Sequence, residues 1–429
     1  MTTSPQIAAP SRSRIAVASL VGTAIEFYDF YIYGTAAALV LNTAFFPGMD
    51  PVAGSLASFS TFAVAFLSRP LGSALFGHWG DRIGRKSMLV VSLLVMGLST
   101  VAIGLLPGYA AIGVIAPVLL VLLRFTQGIG LGGEWGGAAL LATEHAPPGK
   151  RGLYAMFPQL GPSVGFIVAN GLFLVLGEVL SDGQFGAWGW RLPFVASLLL
   201  VIVGLYVRLK ISETPVFQAA MDQQRIAKVP FAGLMRHQWR RVLLGAGAMT
   251  VAYTLFYTAT TYCLAYGTSA LKIPKTTMLG LTLVGVVFMA AGTVASALVS
   301  DRLGRRRTLL AGTGLAVVWG LVMFPLMETR SVFLVGLALA GALGLMGLVF
   351  GPMGAYLPEL FKTQFRYSGA SVAYSLGGVL GGAVPPLVAT GLQAGGVGVV
   401  GVGAYVSAMA LLSLLCLLAL PETGDDTLV

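Results

Sequence analysis

Residues 77–88 read GHWGDRIGRKSM, and a shortened copy, SDRLGRRRT, stands at 300–308. Both are charged, glycine-punctuated stretches between long apolar runs. Their Asp-Arg-x-Gly-Arg cores begin at Asp81 and Asp301, 220 residues apart in a chain of 429. One element repeated at half-chain separation points to a duplicated membrane protein. Its chemistry suits a tight reversal between two helices: glycine adopts dihedrals other residues avoid, and basic residues hold a short loop on the cytoplasmic side. The Asp can sit near a helix N-terminus, where the backbone dipole favours negative charge.

Composition agrees with a bilayer setting. Hydrophobic residues make up 56% of the chain and charged ones 10%, with a mean hydropathy of +0.86, whereas soluble domains are about one-quarter charged. The net charge of +10 does not imply nucleic acid, since no basic helix or aromatic-basic platform accompanies it. On the spans drawn below, 20 of the 26 Lys and Arg fall on one side, which places both termini in the cytoplasm. Cys263 and Cys416 lie in apolar runs and read as packing residues. Residues 1–14 show no cleavable signal, so the first span serves as the address.

A spanning helix needs about 20 mostly apolar residues. Such runs occur at 15–42, 53–77, 87–106, 112–142, 153–178 and 190–210, then at 241–266, 276–299, 308–326, 331–357, 368–392 and 397–420. The expected fold is therefore an all-α membrane protein of twelve helices in two six-helix bundles related by pseudo-two-fold symmetry. The bundles are 15–210 and 241–420, with a cytoplasmic tail at 1–14, a cytoplasmic linker at 211–240 and a tail at 421–429. The duplication extends past the paired loops: Glu144 and Arg151 recur as Glu359 and Arg366, each 215 residues on. Parallel halves of this kind hold substrate between them at mid-membrane.

Ionisable groups inside the hydrocarbon are costly unless paired or facing water, and so mark candidate sites. On helix 1, Glu26 and Asp29 are three residues apart with Tyr33 a turn further, one shared face near mid-bilayer. Two neighbouring carboxylates in a low dielectric cannot both ionise cheaply, so at least one is expected to hold a proton. The alternative is that one acid merely pairs with a buried arginine. Arg69 on helix 2 and Arg124 on helix 4 are the matching cations, suited to fork onto a substrate carboxylate or onto one of the acids; Arg69, followed by Pro70, reads equally as a fixed structural pair. Gln127 and Glu134 continue the Arg124 face, Glu134 being as much a gate as a proton carrier. Gln159, Ser163 and Asn170 share a face of helix 5, and Tyr253, Tyr257 and Thr260 a face of helix 7. Substrate contacts from the second half, which has no mid-membrane charge, come from this polar and aromatic set.

GHWGDRIGRK resembles the loop signature of the major facilitator superfamily, and Arg124 to Gly130, RFTQGIG, is similar to its second motif, R-x-x-Q-G-x-G. The resemblance implies a role for Arg124 in proton transfer. EFYDF from Glu26, RPLG from Arg69, GGEWGG from Gly132, EHAPPGKRG from Glu144, WGWRLPF from Trp188 and ETPVF from Glu213 are similar to the metabolite:proton symporter family. Its members resemble bacterial inner-membrane carriers of shikimate, 2-oxoglutarate, citrate, or proline and betaine. The osmosensing branch often bears a long C-terminal coiled coil, whereas this chain ends at PETGDDTLV.

The expected protein is thus a transporter in the bacterial inner membrane, not an enzyme, importing a small organic acid with a proton by alternating access. No nucleophile-base pair, metal cluster or phosphate loop is visible. Protons are the coupling ion, with no other cofactor, no metal and no nucleic acid; the partners are a carboxylate substrate and lipid, the unit a monomer. Glu26, Asp29, Arg124 and Glu134 carry proton coupling. Arg69, Arg124, Gln127, Tyr33, Gln159, Asn170, Tyr253 and Tyr257 bind substrate. Asp81, Arg82, Arg85, Lys86, Glu144, Asp301, Arg302, Arg305 and Glu359 form cytoplasmic latches between the halves. The alternatives are symport of a zwitterionic osmolyte, or proton-driven efflux.

Overall fold

A computed structural model of the chain describes residues 12–83, 85–132, 134–144, 146, 149–210, 230–362 and 365–423. Twelve long helices order it. The first half comprises α1 (Arg12–Leu39), α2 (Pro51–Ile83), α3 (Arg85–Leu105), α4 (Ile115–Leu131 continuing as Glu134–Glu144), α5 (Arg151–Val179) and α6 (Leu192–Lys210). The second comprises α7 (Trp239–Ser269), α8 (Lys275–Leu303), α9 (Arg305–Glu328), α10 (Val332–Glu359), α11 (Arg366–Ala394) and α12 (Gly398–Ala419). On described residues ten of these are long and apolar enough to cross a membrane; α1, whose hydropathy two carboxylates lower, and α3 fall short of that measure.

The halves repeat one another in packing. Helix α1 lies on α5 as α7 lies on α11, α2 on α4 as α8 on α10, and α3 on α6 as α9 on α12. Between the halves α5 meets α8, and its symmetry mate, α2, meets α11. In lipid no hydrophobic force drives helices together, so close backbone approach has to supply the attraction. At Gly72 of α2 a Cβ would stand 2.1 Å from the Ile129 carbonyl of α4; at Gly347 of α10 it would stand 2.1 Å from the Met289 carbonyl of α8. These are corresponding seams of the two halves. Gly72→Ala and Gly347→Ala are therefore expected each to cost about 3 kcal/mol, because backbone must move. Gly22→Ala, with nothing within 4 Å, should leave the thermal midpoint of the detergent-solubilised protein unchanged or slightly raised.

Two expectations change in detail. The charged stretches are mostly helix rather than turn: α2 runs to Ile83 and α8 to Leu303, past the predicted ends at 77 and 299. Apolarity marks only the hydrocarbon layer, and the polar ends continue the helix beyond it. In the second copy the break is confined to Gly304, at φ 95°, a region favouring glycine. The predicted linker lies outside the described residues over 211–229; from there Pro230–His237 is helical and α7 begins at Trp239. Helices α7 and α11 each carry a π-helical turn, Thr258–Tyr262 and Val379–Ala383, packed on α1 and α2 respectively. Such turns recur at functional sites.

Candidate functional site

Between the halves lies a narrow, nearly closed cleft lined by Glu26 and Phe27 of α1, Arg69 of α2, Trp135 of α4, and Tyr374 and Ser375 of α11. Helix α11 alone supplies its second-half wall. One edge is set by Ser73 Oγ, which donates to the Gly132 carbonyl and lies 3.1 Å from Ser375 Oγ across the halves. The floor is the Trp135 and Tyr374 pair, stacked at 3.9 Å and 5°. Trp135 Nε1 donates to Gln159 Oε1 at 3.0 Å, and Gln159 Nε2 to the Phe350 carbonyl of α10 at 2.7 Å. The floor is thereby tied to both halves.

Arg69 is 2% exposed, and its guanidinium carbon sits 4.4 Å from the Phe30 ring centroid and 4.6 Å from that of Phe66. Its Nε and Nη2 are buried without a hydrogen-bond partner among the described residues. These two nitrogens form the side-on fork of a guanidinium, the edge that matches a carboxylate bidentately. Tyr253 and Tyr257 stack on each other at 6.1 Å and lie against Phe66. The Tyr253 ring is 5.3 Å from Tyr374, and its buried hydroxyl lies beside Tyr374 and Arg69 with no hydrogen bond of ordinary geometry among the described residues.

The structure does not bring all the predicted residues into this cleft. Glu26 lines it, but Asp29 does not. Asp29 is fully buried, with Oδ2 3.6 Å from where a Cβ on Gly97 of α3 would stand, and its polar surroundings are Ser197, Thr100 and Glu134. Three residues advance a helix by about 300°, so a pair at that spacing is offset by about 60°, enough to face different neighbours when the helix is enclosed. The expected joint carboxylate face is thus divided. Tyr33 also turns inward, its hydroxyl 2.5 Å from Thr61 Oγ1.

Arg124 likewise lies behind the cleft. Its guanidinium rests 3.7 Å from the Tyr33 centroid, donates to Gln127 Oε1, and reaches the Phe62 carbonyl at 3.4 Å. Gln127 Nε2 donates to the Asp29 carbonyl at 3.2 Å and Thr100 Oγ1 at 2.7 Å. Both guanidiniums lie over Phe30, Arg124 at 5.1 Å. That ring joins the cleft to a second, enclosed polar layer of Asp29, Arg124, Gln127 and Thr100. Glu134 accepts from Ser92 at the contact of α3 with α4. Asn170 Oδ1 accepts from Thr35 of α1 at 2.5 Å, inside the first half.

At the face carrying the two charged stretches, Asp301 crosses between halves. Its Oδ1 accepts from the Gly152 amide at 2.9 Å and its Oδ2 from the Leu153 amide at 3.0 Å, capping the N-terminus of α5. Arg305 pairs with Glu359 at 2.7 Å; that bridge stays within the second half, contrary to the expected link between halves, because α9 and α10 are already packed neighbours. Arg302 is exposed. The side chains of Asp81, Arg82, Arg85, Lys86 and Glu144 lie outside the described residues. At the other face Lys275 of α8 meets Asp182 beyond α5 at 2.5 Å and holds that exposed carboxyl below its usual value by hydrogen bonding and charge.

Residue type alone does not single out Trp135, Ser371, Ser375, Phe30 and Phe66. For Trp135 and Tyr374 a signal exists: each is a large ring among glycines, in GGEWGG and YSLGG, where backbones approach and a bulky group must fill a shared space.

Two parallel helical halves closing over a charged interfacial cleft define a secondary carrier. The sugar (and other) transporter family matches residues 15–238 and again 230–429, and the chain belongs to this family of the major facilitator superfamily. It is 50% identical over 423 residues to an Escherichia coli K12 protein named inner membrane metabolite transport protein YhjE, covering 97% of this chain and 96% of that one. It is 39% identical to the shikimate transporter of the same organism (88% and 87% covered) and 34% identical to the proline/betaine transporter of Salmonella typhimurium LT2 (88% and 77%). The proton:xylose symporter XylE bound to 6-bromo-6-deoxy-D-glucose shares the fold at a TM-score of 0.77 and 17% identity, with 97% of each chain covered. A partially occluded inward-open XylE from E. coli aligns at 0.75 and 18%, covering 97% and 99%. The protein is a multi-pass membrane transporter of small molecules and not an enzyme.

Proposed function

We propose that this transporter imports a small organic acid with a proton, across the bacterial inner membrane, as a monomer with both termini cytoplasmic. The carrying observation is that Arg69 lines a cleft with Glu26 while its Nε and Nη2 are buried without a hydrogen-bond partner of ordinary geometry among the described residues. With Glu26 ionised, Arg69 has a carboxylate of the protein itself to answer; with Glu26 protonated, its fork is available to a substrate carboxylate. Proton and anion then load together. Alternating access follows as Asp301 releases α5 and the Trp135 and Tyr374 floor separates. The enclosed layer of Asp29, Arg124 and Gln127, with Glu134 at its α3 side, transmits the charge state of the cleft. The name of the shikimate transporter among the relatives supports a carboxylate, and the excess of Lys and Arg on one side supports the orientation.

A second reading has a specific observation behind it. Phe30 and Phe66 flank the Arg69 cation, with Tyr253 and Tyr257 against Phe66, and aromatic faces of this kind also hold quaternary ammonium groups, as a betaine-type zwitterion requires. Proteoliposomes with an imposed inward proton gradient separate the readings. Labelled shikimate should accumulate and be lost when a protonophore collapses the gradient. Accumulation indifferent to the protonophore eliminates proton coupling, and accumulation of betaine alone selects the zwitterion.

A further inference from the structure

At the face carrying the Asp301 stretch, away from the transport cleft, an open pocket of about 260 Å³ is lined by His237, Gln238, Arg241, Lys362 and Phe365. It lies between two elements: the end of helix Pro230–His237 with the start of α7, and the segment following α10. Three basic side chains converge on it, and no carboxylate pairs with Arg241 or Lys362 among the described residues. Arg241 Nη1 donates to the Leu360 carbonyl at 2.6 Å, which fixes the guanidinium while its other donors remain. His237 Nδ1 lies 2.9 Å from the Gly233 carbonyl; a carbonyl can only accept, so Nδ1 carries the hydrogen.

The second observation is Gln238. It is 7% exposed, lines the pocket, and its Oε1 is buried without a hydrogen-bond partner among the described residues. An orphaned buried acceptor costs free energy that a donor from a ligand would recover. Cations with such an acceptor define a chemistry: an anion that also offers a hydroxyl. We propose that this pocket binds a hydroxyl-bearing phosphate ester, the phosphate on Arg241 and Lys362 and a hydroxyl on Gln238 Oε1. Two sources share that chemistry, the headgroup of a phosphatidylglycerol-type lipid and a soluble glycerol or sugar phosphate. Trp239, 46% exposed at the start of α7, with Arg240 5.5 Å from its ring, sets the pocket at the level where aromatic and basic residues meet headgroups. A ligand here would tie the segment entering the second half to the end of α10.

The test uses the full-length protein. Its thermal midpoint is measured in phosphatidylcholine nanodiscs with and without phosphatidylglycerol, and in detergent with glycerol 3-phosphate. Binding should raise the midpoint by roughly 2–4 °C. Lys362→Gln, which breaks none of the bonds above, should abolish the rise, and Gln238→Leu should reduce it; Arg236→Gln, outside the pocket, should keep it. A rise with phosphatidylglycerol only assigns the site to lipid, and one with glycerol 3-phosphate to a soluble ligand. No rise with either, or a rise that survives Lys362→Gln, overturns the proposal.

Discussion

Arg69→Gln is expected to weaken carboxylate uptake on the order of 100-fold or more while leaving the protein folded. Arg69 lines the cleft and its Nε and Nη2 are buried without a hydrogen-bond partner among the described residues, and hydrogen bonds to a charged group contribute about 1.5–3 kcal/mol each. Losing two of them removes about 3 kcal/mol or more, and 1.4 kcal/mol is tenfold in affinity. Glutamine keeps most of the stem that packs between Phe30 and Phe66, so the change falls on substrate. Arg69→Lys should sit between, since an ammonium restores charge but not the planar fork. Counterflow in proteoliposomes reads this directly as a rise in KM. An unchanged KM for a carboxylate in Arg69→Gln would remove the anion-binding role and leave the zwitterion reading.

Glu26→Gln should separate transport from its driving force. Glutamine occupies the place of a protonated glutamate but has no proton to release. Gradient-driven accumulation should then fall to the level of equilibration, whereas exchange of internal for external substrate continues with affinity close to that of the parent. Asp29→Asn is the companion measurement. Asp29 is sealed among α3 and α6 rather than on the cleft, so accumulation that persists in Glu26→Gln and disappears in Asp29→Asn would transfer the proton to the enclosed layer.

The chain by itself determined the twelve helices and their division into parallel halves. Span length and repeated motifs are local properties, legible wherever they occur along the chain. It also marked Glu26 and Arg69, since a charge in an apolar run is conspicuous without coordinates. Tertiary structure alone decided which charges meet. Helix α7 is buried over most of its circumference, and α1 is likewise enclosed from Ile25 to Ala37, so neither has an outer face from which its rotation could be inferred. Packing against α3, α5 and α6 sets that rotation, turning Glu26 to the cleft and Asp29 and Tyr33 away from it. The same neighbours drew Arg124 beneath Tyr33, and brought Trp135 against Tyr374 from halves far apart in the chain. Contacts of that kind arise from the fit of whole helices, which no spacing along a single segment specifies.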